Sequence, residues 1–203
     1  MLSTLLVAFL VSQSPASPVA PASPASPAIT DFVVVSASLV DLPLSRVTDS
    51  VTVIPRDAID ALQAESVAGA LRSVTGLGVT ASGGRGGVAS IFTRGGESDY
   101  TLVLVDGVPM NEFGGSLNIA HLSLANVDRV EVVRGPQSAL HGAGAIAGVV
   151  NVLSAEGGPA QATLTAEGGA ESMFRGLLEA RGSIRAWSLG AGVERLAADG
   201  FTG

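Results

Sequence analysis

Few side chains in this sequence have the type and spacing that catalysis or metal binding requires. The two histidines, His121 and His141, stand twenty residues apart without a ligand-spaced neighbour, so they predict no metal site. There is no cysteine, which excludes disulfides, thiolate metal sites and a cysteine nucleophile. A serine–histidine–aspartate set lacks the nucleophile-elbow pattern that would support it. The residues therefore predict no cofactor and no enzyme chemistry.

Two glycine-rich segments match nucleotide-binding loops only in part. Residues 142–147 fit the pattern G-x-G-x-x-A, but that motif needs a helix after it, and residues 148–152 favour a strand. Residues 82–87 lack the Lys-Ser/Thr pair of a phosphate-binding loop. The second segment is interpreted as a mobile loop that either contacts a ligand or simply links two elements.

Two arginines stand at the ends of apolar strands. Arg94 follows Ile-Phe-Thr, Arg134 follows Val-Glu-Val-Val, and a glycine follows each of them. A buried arginine needs carboxylate partners because its desolvation is costly. The alternative is an arginine at a strand end with its guanidinium in solvent. The residues alone leave both interpretations open.

Composition limits the class of protein. Hydrophobic residues make up 47% of the 203 residues and charged residues 14%, so the chain has enough apolar material for a core. The 26 glycines favour tight turns and strands over long helical bundles. The formal net charge is −7, whereas a nucleic-acid surface needs clustered lysine and arginine. The composition therefore argues against a nucleic-acid partner.

The N-terminal residues indicate export. Residues 1–16 contain an apolar run of about ten residues, the length of a signal-peptide core and too short to span a bilayer. No lysine or arginine precedes the run, whereas a typical signal peptide begins with positive charge. Residues 17–30 are rich in proline, alanine and serine, which predicts an extended linker. Residues 31–37 are β-prone and form either an ordinary first strand or a strand offered to the sheet edge of a partner.

The middle of the chain predicts a mixed domain. Strands are expected at residues 51–54, 88–93, 100–105, 127–133 and 148–153, with a turn at Asp106-Gly107. Asp57 is expected to cap one short helix and Ser66 a second that stops at Gly76. Strands and helices do not alternate regularly, so the fold class is α+β and not doubly wound.

The C-terminal stretch changes character. In residues 162–167, 174–181 and 185–193, apolar and polar or small side chains alternate. Strands of about ten residues with this period are the weak signature of membrane β-barrel strands. A soluble antiparallel meander has the same alternation, so the pattern alone leaves both open.

Taken together, the motifs resemble the N-terminal part of TonB-dependent outer-membrane receptors. Residues 31–37 resemble the TonB box, 66–76 the plug helix and turn, 91–95 the strand ending in Arg-Gly, 102–108 the "LVLIDGV" strand, and 130–152 the last plug motif. The family usually has tyrosine where His141 stands and glycine where Ala147 stands.

The resemblance implies a fold and a domain organisation. It implies an α+β plug domain, a small mixed sheet with short helices, at residues 41–155. Residues 156–203 would then be the first antiparallel strands of a transmembrane β-barrel of about 22 strands. At about ten residues per strand, these residues supply only three or four strands. We therefore expect the chain to be a fragment or a truncated gene product.

The resemblance also implies a function and its partners. The function is active uptake of a scarce ligand across the outer membrane of a Gram-negative bacterium, with cobalamin favoured over a ferric siderophore. The partners are periplasmic TonB, the ligand and outer-membrane lipid. The competing hypothesis is an exported soluble α+β enzyme or binding protein, for which the sequence shows no convergent polar constellation.

The resemblance suggests roles for individual residues. Arg94 and Arg134 would anchor the plug to carboxylates of the barrel wall, and both are expected to be under-satisfied or solvent-facing in this chain. TonB would bind Asp31, Phe32, Val33, Val34, Val35, Ser36 and Ala37. Two outward loops would contact the ligand through Arg85, Asn111, Glu112, Phe113 and Asn118.

Overall fold

A computed structural model describes residues 33–34, 36–38, 40, 42–83, 87–112, 115–169, 173–185 and 187–197. All of them belong to one compact unit, residues 31–203. The predicted signal peptide and linker, residues 1–30, lie outside the described residues. Five of the predicted TonB-binding and ligand-binding residues also lie outside the described residues: Asp31, Phe32, Val35, Arg85 and Phe113.

A five-stranded mixed sheet forms the centre of the predicted plug domain. Its strands are β3 Ser50–Pro55, β6 Thr101–Val105, β7 Val108–Pro109, β8 Val127–Arg134 and β9 Gly148–Ser154. In space they follow the order β3-β8-β9-β6-β7, and within this sheet only the β9–β6 pair is parallel. The α+β prediction is confirmed.

The central strands form because β-branched residues line both of their faces. A strand covered on both sides reads as a continuous apolar run, and Val149, Val150 and Val152 of β9 are all nearly inaccessible to solvent. The turn after β6 has positive φ at both Asp106 (49°) and Gly107 (80°), which is the conformation that Asp-Gly favours between paired strands. The predicted strands of this sheet are thus present to within one or two residues.

Two short helices and a hairpin cover one side of this sheet. Helix α1 spans Arg56–Ala61, α2 spans Val67–Leu71, and the hairpin consists of β4 (Leu77–Ser82) and β5 (Val88–Thr93). Val67 and Leu71 of α2 are completely buried in the larger core cluster, beside Val130 and Val132 of β8. A third helix, α3, spans Ser138–His141. The sequence predicted neither β4 nor α3.

The helix starts follow the prediction at α2 and depart from it at α1. The Ser66 hydroxyl accepts a hydrogen bond from the Gly69 amide at 3.4 Å and caps α2 as predicted. At α1 the N-cap is Pro55, without a side-chain cap. Asp57 is the second residue of the helix, because Pro55 has the extended conformation of an N-cap and the helix begins at Arg56. The capping prediction for Asp57 was wrong.

The last three strands form an antiparallel sheet that we name the strand wall. Its members are β10 (Gln161–Gly168), β11 (Phe174–Ile184) and β12 (Trp187–Ala197), in that spatial order. One face exposes large apolar side chains, among them Leu164, Phe174, Leu178, Trp187, Leu189 and Val193. The other face turns toward the plug domain and buries Arg175 and Leu177. None of the helices in the described part of the chain has the length and apolar character needed to span a bilayer.

Candidate functional site

The predicted TonB-binding segment lies folded back on its own chain. Val33–Val34 forms strand β1, which pairs antiparallel with β2, Leu42–Pro43. The ladder is only two residues long, far shorter than the usual strand of about five or six residues. Its main-chain hydrogen bonds are therefore few, and most contacts that fix this segment to the plug domain come from the residues that follow β1.

Ser36 connects this segment to the plug domain. Its amide and its hydroxyl donate hydrogen bonds to Oε2 of Glu131, at 3.0 and 2.6 Å. Its carbonyl accepts one from Nε2 of His141 at 2.8 Å, which requires a proton on that nitrogen. Ser36 and Ala37 are buried. We name Ser36, Glu131 and His141 the docking triad.

Glu131 is completely buried in the middle of β8. A carboxylate in such a place needs charged or hydrogen-bonding partners. Besides Ser36, it accepts a hydrogen bond from Nε of Arg129 at 3.0 Å, on the same face of the strand two residues away. The sequence signal was present as a glutamate between valines, but it did not identify a partner 95 residues away.

The two predicted anchoring arginines differ in their environments. Arg94 is exposed, and within the described part of the chain its guanidinium has no hydrogen bond or ion pair. Arg134 donates to the carbonyl of Thr75 and, at 2.7 Å, to the hydroxyl of Thr52. Its Nε is buried without a partner among the described residues. Their anchoring role in a complete barrel stays a prediction.

The predicted ligand loops are held together by asparagine side chains. The amide of Asn111 bonds the main chain of Thr101 and Val103 at 3.1 and 2.7 Å. Oδ1 of Asn118 accepts from the amides of Ala89 and Ala120 at 2.9 and 3.1 Å. Both side chains thus shape the loops, and their ligand contact stays a prediction.

The other predicted contacts in these loops have fewer constraints. Glu112 is exposed and is free to extend toward a ligand. Nδ2 of Asn118 reaches the carbonyl of Gly87 at 3.5 Å, which brings the loop containing Asn118 next to the end of the predicted 82–87 loop. The structure therefore places Asn118 beside Gly87, and contact of either loop with a ligand stays a prediction.

Replacing Asn118 with alanine should loosen this junction of the two loops. The change leaves the amides of Ala89 and Ala120 without their acceptor, at about 1–3 kcal/mol for the buried Ala89 donor and less for Ala120, whose hydrogen bond is exposed. We expect faster hydrogen exchange at both amides. The matched control is Asn118→Asp, which keeps the acceptor oxygen and should preserve the slow exchange. Equal exchange in the alanine and aspartate variants would contradict this role.

A further set of polar contacts joins the plug domain to the strand wall. Arg56 donates two hydrogen bonds to the carboxylate of Glu179, at 3.0 and 3.2 Å. The main-chain amide of Asn126 donates to the same carboxylate at 2.6 Å, and the hydroxyl of Ser123 donates to Glu194. Sequence reasoning missed Arg56. Its only signal was an arginine directly after Pro55 at a helix start.

The polar groups do not assemble into a metal centre. Among the described residues, no group of three or more histidine, cysteine, aspartate or glutamate side chains is placed to hold an ion. The glycine-rich residues 142–147 form a turn before β9, Gly148–Ser154, and the absence of a helix after them removes the dinucleotide interpretation.

Comparison with known proteins identifies the plug domain. The family model described as TonB-dependent Receptor Plug Domain matches residues 43–149. The chain is 45% identical over 124 residues to the vitamin B12 transporter BtuB of Vibrio vulnificus, a match that covers 61% of this chain and 20% of that protein. The chain thus spans about a fifth of the length of this relative.

Solved structures agree on the fold. The pyoverdine outer-membrane receptor FpvA of Pseudomonas aeruginosa matches with a TM-score of 0.72 at 21% identity, over 84% of this chain and 25% of that one. The siderophore receptor PiuA of Acinetobacter baumannii matches with a TM-score of 0.64 at 25% identity, over 78% and 22%. Both of these proteins are described as receptors. With more than half of its residues matched by the family model, this chain belongs to the TonB-dependent receptor plug domain family.

Proposed function

We propose that this chain is the plug and the first wall strands of a receptor that takes up a scarce ligand across the outer membrane of a Gram-negative bacterium. The observation that carries this proposal is the 45% identity to a vitamin B12 transporter. The folded plug domain and strand wall of this chain agree with it. The mechanism is movement and not bond chemistry. The ligand binds outside, and energy delivered from the periplasm moves the plug.

Cobalamin is the first candidate ligand. The identity to the vitamin B12 transporter is 45%, whereas that to FpvA and PiuA is 21% and 25%. A ferric siderophore is the second candidate, because the solved receptors with this fold include one bound to pyoverdine. The loops tied together by Asn118 are proposed to contact the ligand, with Glu112 as an exposed polar group there.

TonB is the proposed periplasmic partner, and residues 31–37 are its proposed binding segment. An extended segment binds a partner sheet by adding a strand, and its main-chain hydrogen bonds supply the affinity. The short β1–β2 ladder must open for that, and Ser36 must leave Glu131 and His141. These contacts are few, which suits a segment that changes partner.

Outer-membrane lipid is the proposed surrounding of the strand wall. Its outward face carries exposed leucine, valine, phenylalanine and tryptophan side chains, a contiguous apolar patch of a kind that soluble monomers seldom expose. Lipid removes the cost of this exposure. The exported soluble enzyme or binding protein finds no support in the comparisons, and such a wall would make it prone to aggregation.

An uptake experiment tests the proposal. The full-length receptor that carries this chain is produced in a Gram-negative strain without its own vitamin B12 transporter, and uptake of labelled cobalamin is measured. We expect uptake with wild type and none with Val34→Pro, because proline removes a main-chain donor from the strand that TonB must pair with.

Two controls separate the alternatives. Cells without TonB should take up nothing, and Val34→Ala should transport like wild type because it keeps the main-chain donor. Uptake of a ferric siderophore in place of cobalamin would assign the second candidate ligand. Undiminished transport by Val34→Pro would contradict strand addition at residues 31–37.

A further inference from the structure

A short plug segment, residues 123–126, sits directly against the strand wall. Glu179 of β11 accepts hydrogen bonds from the amide of Asn126 and from Arg56. Glu194 of β12 accepts one from Ser123 and one from Arg175 of the wall at 2.7 Å. Two wall carboxylates therefore hold this segment from neighbouring strands.

Between these carboxylates the wall has glycines where the plug comes close. A Cβ atom placed on Gly192 would lie 3.0 Å from Cβ of Ala125, and one placed on Gly190 would lie 2.7 Å from Nδ2 of Asn126. The second distance is shorter than side chains allow. A side chain at Gly190 would also collide with the main-chain carbonyl of Ala155, and one at Gly192 would require Ala125 to shift by a few tenths of an ångström. We name Glu179, Gly190, Gly192 and Glu194 the wall seat.

Arg56 strengthens the contact from the plug side. Its Nη1 also reaches the carbonyls of Leu124 and Val127, each at 3.3 Å, and its Nε pairs with Asp60 at 2.9 Å. One guanidinium thus ties the start of α1, the segment 123–126 and Glu179 together. Paired hydrogen bonds from arginine to a carboxylate fix orientation as well as distance.

The covalent connection between plug and wall runs past the same place. Strand β9 ends at Ser154, and β10 begins at Gln161. The amide of Ala155 donates to the carbonyl of Asn126 at 2.7 Å. The chain therefore leaves the plug beside the wall seat, whereas the N-terminal segment is held by Glu131 and His141 of the plug itself.

We propose that the wall seat is the fixed side of the plug: Arg56 and residues 123–126 stay attached to Glu179 and Glu194 throughout the transport cycle, and passage opens elsewhere. The inference rests on the proposed uptake function. Arg56 and Glu179 act as positioning residues, since they orient the plug against the wall and need not touch the ligand.

A disulfide across the wall seat tests this directly. These 203 residues contain no cysteine, so Ala125→Cys with Gly192→Cys adds one defined pair within them, and any cysteine in the rest of the full-length receptor is replaced by serine. Disulfides join Cβ atoms about 3.5–4.5 Å apart, which a small shift of this contact provides. We expect the bond to form in the oxidising periplasm and ligand uptake to be equal before and after reduction.

Each outcome has a defined meaning. Uptake that stops in oxidised cells and returns on reduction would overturn the fixed side, because the segment would then have to leave the wall. Failure of the disulfide to form would overturn the seat itself. If the wild-type receptor takes up no ligand either, the uptake proposal fails, and complete disulfide formation still supports the seat.

A second pair of variants uses bulk instead of a tether. Gly192→Val places a side chain under the plug segment, whereas the neighbouring Ala191→Val points to the outward face. We expect a larger single-channel ion leak from Gly192→Val than from wild type, and no increase from Ala191→Val. Equal conductance of the two variants would contradict the seat.

Arg56→Gln should also give a larger single-channel ion leak than wild type. The exposed Arg46→Gln is its control and should show no increase.

Discussion

Glu131→Ala should release residues 31–37 from the plug in the absence of ligand. The amide and hydroxyl of Ser36 both lose their shared acceptor. A hydrogen bond to a charged group contributes about 1.5–3 kcal/mol, so the docked state should lose roughly 3 kcal/mol or more. Since about 1.4 kcal/mol is a factor of ten, the ratio of docked to released segment falls by at least about a hundredfold.

The expected readouts are main-chain accessibility and TonB binding. Amide exchange at residues 36–38 should speed up, and TonB should bind the ligand-free receptor more tightly than it binds wild type. Because Glu131 also pairs with Arg129, its removal disturbs β8 as well, and milder variants are needed beside it.

Two such variants isolate the docking effect. Ser36→Ala removes the hydroxyl bond and keeps the amide bond, so it should release the segment only in part. Glu131→Gln keeps the size and one acceptor oxygen, and it should fall between wild type and Glu131→Ala. If all three variants bind TonB like wild type without ligand, the docking triad does not control the segment.

Gly148→Ala should be the most damaging small substitution in the central sheet. A Cβ atom there would lie 2.5 Å from the carbonyl oxygen of Val133 and 3.2 Å from a methyl carbon of Thr93. The first neighbour is main chain in β8 and has no room to move. Overpacking a core costs about 1–3 kcal/mol and occasionally more, and we expect the upper end of that range.

The matched control lies four residues earlier in the same turn region. A Cβ atom on Gly144 would meet only the end of the Leu102 side chain, at 3.4 Å, which has rotamers to adjust. Thermal unfolding of the plug should therefore shift strongly downward for Gly148→Ala and little for Gly144→Ala. Similar transition temperatures for both variants would contradict this prediction, because they would mean that β8 and β9 can move apart enough to accommodate the added methyl group.

Local patterns were sufficient for most of the fold. Short apolar or alternating stretches predicted β3, β5, β6, β8 and β9, and Asp106-Gly107 predicted the turn after β6, because such signals act within a few residues. The register that places Ser36 on Glu131 joins residues 95 positions apart. No local pattern encodes that pairing, so the docking triad was not predictable even though the family resemblance marked both segments.

The wall contact illustrates the same limit in a different way. Alternation along β11 correctly put Arg175, Leu177 and Glu179 on one face. Which plug residue meets Glu179 depends on how two sheets pack, and the partner proved to be Arg56, 123 residues away. Arg94 and Arg134 had the stronger sequence signal, since each ends a strand before a glycine. In the described chain Arg134 instead bonds Thr52 and Thr75.

The position of β9 has a consequence for how the molecule is made. This strand stands in the middle of the five-stranded sheet, between β8 and β6, yet it is the last of the five along the chain. During export from the N-terminus, which the proposed uptake function requires, β6 lacks its inner neighbour until Gly148–Ser154 has emerged. Pairings between distant residues form slowly, and partly formed sheets with open edges aggregate.

The first wall strand, Gln161–Gly168, follows only a few residues later. The plug sheet and the earliest wall strands therefore become available almost together, and their folding overlaps in time. On the proposed function, a periplasmic chaperone that receives this chain must protect two kinds of unpaired edge at once, one belonging to the plug sheet and the other to a sheet whose outward face is proposed to meet lipid.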